Sequence, residues 1–313
     1  VITHEVGLRP LTGFFSTGHA TENRIAIPDT FQLDADQNAW LDAYLTKRFK
    51  GDFSMADVEY WPEIRDPDSV ILEKIQAHKN LVTVFTNVIF DTSQMHANVL
   101  FEDLFDWLDT VFDVIEKNPD TLFIIRAHPD ELRVGKDSKE TVQEKVLARF
   151  TDSVENIIFI APDEYVNSYE LVQRSKFIMV YNSSIGLEGS LLRVPVLCAG
   201  QARYTHYPTV FFPNTRHEYQ QRLTEFLTDA EIELPQIFYD EARRFLFYHL
   251  NFASLDFSRF IEHQSKARGQ VLLKQFSIAD LDSINSPEMK IIQNGILADG
   301  MFVYSQRTAI PKP

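Results

Sequence analysis

Cysteine is nearly absent. The chain has one, Cys198, in 313 residues, which excludes an intrachain disulfide framework and a cysteine-based zinc cluster. It points to a reducing, cytoplasmic compartment. Glycine (11) and proline (14) are too few for a collagenous or disordered chain. Positive charge is also short: 30 Lys and Arg stand against 45 Asp and Glu, for a net charge of −15. A general nucleic-acid binder needs a basic surface; a single small anion held by a few local cations is still allowed. No run approaches the roughly 18 apolar residues of a membrane span. The opening Val1-Ile-Thr-His-Glu lacks the basic-then-apolar order of a signal peptide. It also lacks a Met and opens on an apparent strand, so a fragment missing its N-terminal part is expected.

Several chemistries are missing as well. No G-x-G-x-x-G follows a strand, no G-x-x-x-x-G-K-[ST] occurs, and no G-x-S-x-G occurs. These absences argue against a nicotinamide site, a P-loop kinase and an α/β-hydrolase. The nine histidines are scattered without ligand spacing, so no metal site is expected. Asp91 and the Asp130-Glu131 pair could hold Mg²⁺, but their plain reading is solvated loop carboxylates.

What is present is an alternation of short apolar runs with helical patterns. Residues 34–50 place Trp40, Leu41, Tyr44, Leu45 and Phe49 at helical spacing, with Asp34 as cap. Residues 51–79 are acidic and irregular, then briefly helical, and make the best linker. From residue 80, apolar runs at 81–90, 122–125, 157–160, 177–181 and 194–199 alternate with helices at 98–117, 138–150, 166–174, 184–192 and 218–228. Continuous apolar strands between helices predict a parallel sheet covered on both faces, a doubly wound α/β domain. The aromatic-rich 236–263 reads as helix crossing that domain, and 264–313 carries weak signals. The expected division is 1–79, 80–263 and 264–313.

Ligands of an open parallel sheet bind beyond the carboxyl ends of its strands. The residues after each run are therefore the candidates: Asn87 and Asp91; Arg126, His128 and Pro129; Asn182, Ser183, Ser184, Gly186 and Glu188; and Arg203. Two serines at a helix start offer hydroxyls beside unpaired N–H groups, which favours a phosphate. The plain alternative is an N-cap pair with Glu188 as capping-box partner. His128 at a strand end can donate to a phosphate or assist a leaving group, with Pro129 fixing the loop. A lone His-Pro is more often a solvent-facing loop. Arg126 and Arg203 could add positive charge. Cys198 lies in an apolar run and reads as core.

The segments Arg126-Ala-His-Pro-Asp-Glu131 and 181–200 (YNSSIGLEGSLLRVPVLCAG) resemble the C-terminal domain of GT-B glycosyltransferases that use CMP-activated sugars. They are most similar to bacterial capsular-polysaccharide enzymes of the Kdo-transferase type. The resemblance covers about residues 80–215, and 3–20 also looks like the segment that precedes that domain. It implies a Rossmann-like nucleotide-binding half, with the CMP phosphate taken by His128, Ser183 and Ser184 and the ribose by Glu188. It implies a nucleotide sugar and a glycan acceptor as partners, no required cofactor, and a place at the inner face of the membrane. A GT-B enzyme has two such domains with the active site between them, and only a short remnant of the first precedes residue 80. Glu5 is the candidate acid or base of that remnant, and His19 a substrate contact; exposed loop residues are an equal reading for both. Two alternatives stay open. One is a CDP-alditol phosphotransferase of the CDP-glycerol glycerophosphotransferase type, which shares similar motifs. The other is a non-catalytic, truncated nucleotide-binding half.

Overall fold

The computed structural model describes residues 1–18, 23–50, 65–89, 94–132, 140–150, 154–263, 271–305 and 310. The chain divides into two compact units, one made of residues 1–62 and 243–313 and the other of residues 63–242. This differs from the expected division. The N-terminal segment and the tail belong to one unit, and the boundary of the sheet unit falls earlier in the tail than residue 263.

The first unit opens with β1 (Ile2–Val6) and β2 (Thr12–Thr17), an antiparallel hairpin with Glu5 opposite Phe14. Helix α1 (Ala35–Phe49) follows. Asp34 caps it in a capping box with Gln37, so the expected start is observed.

The second unit carries the expected parallel sheet. Helix α2 (Ser69–Ala77) leads into β3 (Asn80–Phe85), then α3 (Gln94–Ala97), α4 (Leu104–Lys117), β4 (Thr121–Arg126) and α5 (Val142–Arg149). There follow β5 (Ile157–Ile160), α6 (Ser168–Arg174), β6 (Phe177–Val180), α7 (Ile185–Leu191), β7 (Val196–Cys198) and α8 (Arg216–Thr228). The strand order is β5-β4-β3-β6-β7, all parallel. This is a doubly wound order with its reversal between β3 and β6. Every residue of β4 and β6 is buried, which is why these strands read as unbroken apolar runs. The first strand ends at Phe85, earlier than the expected run to Phe90, which lies outside the described residues; the Thr86 N–H closes the ladder on the Arg126 carbonyl, and its hydroxyl reaches the same oxygen at 3.3 Å. Helix α5 starts later than expected and is capped by Thr141 with Glu144; the expected cap, Ser138, lies outside the described residues.

One face of the sheet packs on α4, α5 and α8 through Trp107, Phe112, Phe123, Phe177, Tyr219 and their neighbours. Within it the Trp107 indole N–H donates to the Tyr219 hydroxyl at 2.8 Å, both side chains being fully buried. Tyr219→Phe keeps the ring and strands the indole donor, so it should destabilise the protein by about 1–3 kcal/mol in a denaturant melt. An unchanged midpoint would mean that the donor finds another partner.

Helix α9 (Gln236–Tyr248) begins in the sheet unit and ends in the first. The tail departs from the expected continuous helix. After a π-turn at His249–Ala253 come β8 (Ser254–Asp256), β9 (Ile261–His263), β10 (Val271–Leu273) and α10 (Pro287–Leu297). Strand β8 completes the antiparallel sheet β1-β2-β8, and β9 pairs with β10. Within this unit Arg243 bonds Asp42 and Asn38, and Arg244 bonds the carbonyls of Pro28 and Phe31. Arg9 donates to the Leu250 carbonyl. These contacts, each spanning more than 200 residues, tie the tail to the N-terminal segment.

Candidate functional site

Parallel strands place all their carboxyl ends on one edge, so the segments after β3, β4, β6 and β7 meet there. His128 follows β4 and Ser183-Ser184 follow β6; β3 alone lies between. Two strand spacings are about 10 Å, within the span of a nucleotide phosphate and its sugar. The point of reversal between β3 and β6 is bridged directly. Asn87, after β3, donates its side-chain amide to Asn182 Oδ1, after β6. Asn182 in turn reaches the Gln201 carbonyl at 3.5 Å. Asn87 is 8% exposed, and its own Oδ1 is buried without a hydrogen-bond partner.

His128 is half-buried at the start of a 3₁₀ turn, Pro129–Leu132. The Asp130 N–H donates to His128 Nδ1 at 3.1 Å, and the Glu131 N–H to the His128 carbonyl at 3.0 Å. A ring whose Nδ1 accepts carries its proton on Nε2 in the neutral form. Pro129 fixes the turn's entry.

Ser184 is exposed and Ser183 half-buried at the start of α7. Ser184 has helical backbone angles and makes no side-chain cap hydrogen bond, and Glu188 is not in a capping box. The plain capping reading is therefore not what the structure holds. Glu188 is buried one turn in; burial first, then the neighbouring Cys198 and last Glu188 raise the Tyr204 phenol well above its usual range. Tyr204 is the brace of this segment. Its hydroxyl donates to the Ser183 carbonyl at 2.7 Å. A Cβ on Gly186 would stand 2.5 Å from that hydroxyl and 3.0 Å from Val180, so the glycine serves close packing beneath the serines. Cys198 is fully buried and burial pushes its thiol up to about 12, in keeping with its core reading.

Other candidates take different places. The Arg126 side chain turns toward β5: its Nη1 donates to the Ala161 carbonyl, and Glu164 and Asp163 act on its charge. It is 2% exposed, and burial lowers its pKa to about 10 despite those carboxylates. It therefore stands on the far side of β4 from the serines rather than beside them. Arg203 opens a short 3₁₀ turn, Arg203–His206, after β7 on the common edge, half-buried. Glu5 sits within β1 rather than after it, in the other unit. His19 and Asp91 lie outside the described residues. Among the described residues no group of three or more His, Cys, Asp or Glu is placed to hold a metal ion. No helix among them is long and apolar enough to cross a membrane.

Two residues of this edge, Gln201 and Tyr204, are not singled out in the sequence, and a third, Glu131, is weighed there only as half of a carboxylate pair. Gln201 and Tyr204 follow the fifth strand, where only Arg203 was chosen. Glu131 was read as solvated, yet it is 8% exposed and its Oε1 has no hydrogen-bond partner. Burial raises its carboxyl to about 7. Position after a strand was the available signal for the first two; nothing in the sequence marks a buried acid.

A sequence model of the family described as Capsule polysaccharide biosynthesis protein matches residues 52–234. No curated protein matches the chain. Among solved structures, Thermosulfurimonas dismutans KpsC, β-Kdo 2,4 transferase, is 12% identical with a TM-score of 0.48, over 80% of this chain and 71% of that one. The β-Kdo 2,7 transferase of the same organism's KpsC is 17% identical with a TM-score of 0.40, over 87% and 74%. S. aureus MnaA with UDP is 16% identical with a TM-score of 0.38, and the chain spans 43% of its length.

Proposed function

The chain belongs to the capsule polysaccharide biosynthesis protein family, and on that premise we propose that its sheet unit is the nucleotide-sugar half of a glycosyltransferase using a CMP-activated sugar. One observation carries the reading. His128 and Ser183-Ser184 come to one edge of the sheet, on the two strands that flank β3, beside the reversal of strand order. Doubly wound sheets bind nucleotides at that point.

In this reading the phosphate of CMP lies against the Ser183 and Ser184 hydroxyls, with His128 Nε2–H donating from the β4 side. Cleavage of the glycosidic bond leaves the bonding pair on the departing phosphate oxygen. The three donors are in place before that charge grows, so they stabilise it without reorganising. Asn182, locked to Asn87 and Gln201, holds the serine segment in register. Arg203 adds positive charge on the same edge, which lets a chain of net charge −15 hold an anion locally. Glu188 is the candidate for the ribose. The donor sugar and a glycan acceptor are the partners, and the single cysteine fits a reducing, cytoplasmic setting.

CMP should raise the melting temperature. At about 100 times its Kd it adds about 2.7 kcal/mol of stability. His128→Ala should lower turnover of a CMP-sugar more than it lowers that temperature. A shift with other nucleotides and none with CMP would overturn the CMP assignment. Release of CMP from a CDP-alditol, and not from a CMP-sugar, would make the enzyme a phosphotransferase.

A further inference from the structure

A second feature of the sheet unit is outside the nucleotide reading. After β7 the chain runs along that strand's outer side, where Phe211 bridges to Leu197 in parallel, and then enters α8. Between this 205–213 segment and α8 lies a cavity of about 680 Å³, within the range of about 300–1,000 Å³ that holds small ligands. Its two walls differ in kind.

One wall is aromatic and fixed. Phe211 is wedged edge-on between Phe226 and Phe238, with ring centroids 4.9 Å apart in each pair. Phe212 and Tyr207 extend the surface. The other wall is a polar stripe of α8. Glu218, Gln221, Arg222 and Glu225 are spaced i, i+3, i+4 and i+7, so they share a helix face. The stripe is ordered by its own contacts. Gln221 donates to Glu225 at 3.0 Å, Arg222 pairs with Glu225 at 3.1 Å, and the Asn214 N–H donates to Glu218 at 2.9 Å. Arg222 also lies over the Phe211 ring at 5.6 Å.

These walls select a ligand class. An anion meets two carboxylates and a guanidinium already paired with one of them. A purely apolar ligand would take the amide and carboxylate groups out of water without replacing their hydrogen bonds, which is costly. A polyol ring with one apolar face satisfies both walls, since aromatic faces take its C–H surface and amides and carboxylates take its hydroxyls. The cavity is also joined to the edge described above: His206, on its rim, approaches Gln201 at 3.3 Å, and the Gln201 carbonyl accepts from Asn182.

We propose that the cavity between residues 205–213 and α8 binds an uncharged saccharide, its rings on the aromatic wall and its hydroxyls on the α8 stripe. It is a glycan-holding subsite on the same unit as the nucleotide edge, and it stands independently of which nucleotide binds there.

Chitotetraose and maltotetraose, two neutral tetrasaccharides, test it by saturation-transfer NMR and calorimetry on the full chain. At least one should bind the wild-type protein at concentrations up to about 10 mM. Phe212→Ala and Gln221→Ala should each weaken that binding about tenfold. Gln221 is exposed, so its variant folds even if loss of Phe212 loosens the segment. The melting shift caused by CMP should be the same in Gln221→Ala as in the wild type. Absence of binding by both sugars, or binding unchanged in both variants, overturns the proposal. A wild type that binds a tetrasaccharide but not CMP would overturn the nucleotide reading and leave this one standing.

Discussion

The double variant Ser183→Ala, Ser184→Ala should bind CMP about 30-fold or more weakly than the wild type while melting at nearly the same temperature. Each hydroxyl bonded to a charged phosphate contributes about 1–2 kcal/mol, and about 1.4 kcal/mol is tenfold in affinity. The stability half of the expectation separates the two readings of the motif. A serine that caps a helix costs about 1 kcal/mol when replaced by alanine. Ser184 makes no side-chain cap bond, so its loss removes nothing that holds α7. The bond that does brace the segment runs from the Tyr204 hydroxyl to the Ser183 backbone carbonyl, and alanine keeps that carbonyl. Calorimetric titration of CMP beside a thermal melt measures both halves. Unchanged affinity would show that no phosphate lies against these hydroxyls; a large fall in melting temperature would show that they are structural.

The sheet could be read from the sequence because both of its faces are covered. Strands such as Thr121–Arg126 and Phe177–Val180 are buried throughout, and burial on both faces leaves an unbroken apolar run as its trace. Strand ends then locate the edge, and with it His128 and the two serines, without any knowledge of packing. The strand order, which brings β4 and β6 to either side of β3, is written in no single residue.

The parts that could not be read depend on partners distant in the chain. Ser254–Asp256 is a three-residue strand whose ladder partner is Thr12–Phe14, too short to show a period of two. Nothing in the local sequence marks the roles of Arg243 and Arg244. Both are buried, held by carbonyls and side chains more than 200 residues away. Its place at a strand end makes Arg126 an expected source of positive charge for the phosphate. A long side chain can leave a strand end toward either neighbour, and here it takes the β5 side, where Ala161 accepts from it. The aromatic tail packs on the N-terminal segment rather than across the sheet: Phe247, Tyr248 and Phe252 surround Phe31 with centroids 5.1–6.3 Å away.

Glu131 is the residue where burial and sequence disagree most, and Glu131→Gln should raise stability above neutral pH by as much as about 3 kcal/mol. Its carboxyl is raised from the ordinary 4.5 to about 7 by burial, and each unit of such a shift is about 1.4 kcal/mol. The folded state therefore holds a proton that the unfolded chain has released. Between about pH 4.5 and 7 the folded protein binds more protons than the unfolded one, so this group makes stability fall as pH rises, and the fall levels off above about 7. Glutamine has the same size and no proton to lose. The difference between variant and wild type should thus be smallest near pH 4.5, grow through pH 7 and stay constant beyond it. Denaturant melts at four pH values measure this; a difference that does not grow with pH would mean the carboxyl ionises freely. The destabilising group lies in the turn that fixes His128, whose ring and carbonyl are held by the N–H groups of Asp130 and Glu131. An ionised Glu131 that moved out toward water would carry its own N–H away from the His128 carbonyl. Glu131→Gln should therefore also keep nucleotide affinity steadier than the wild type as pH rises past 7.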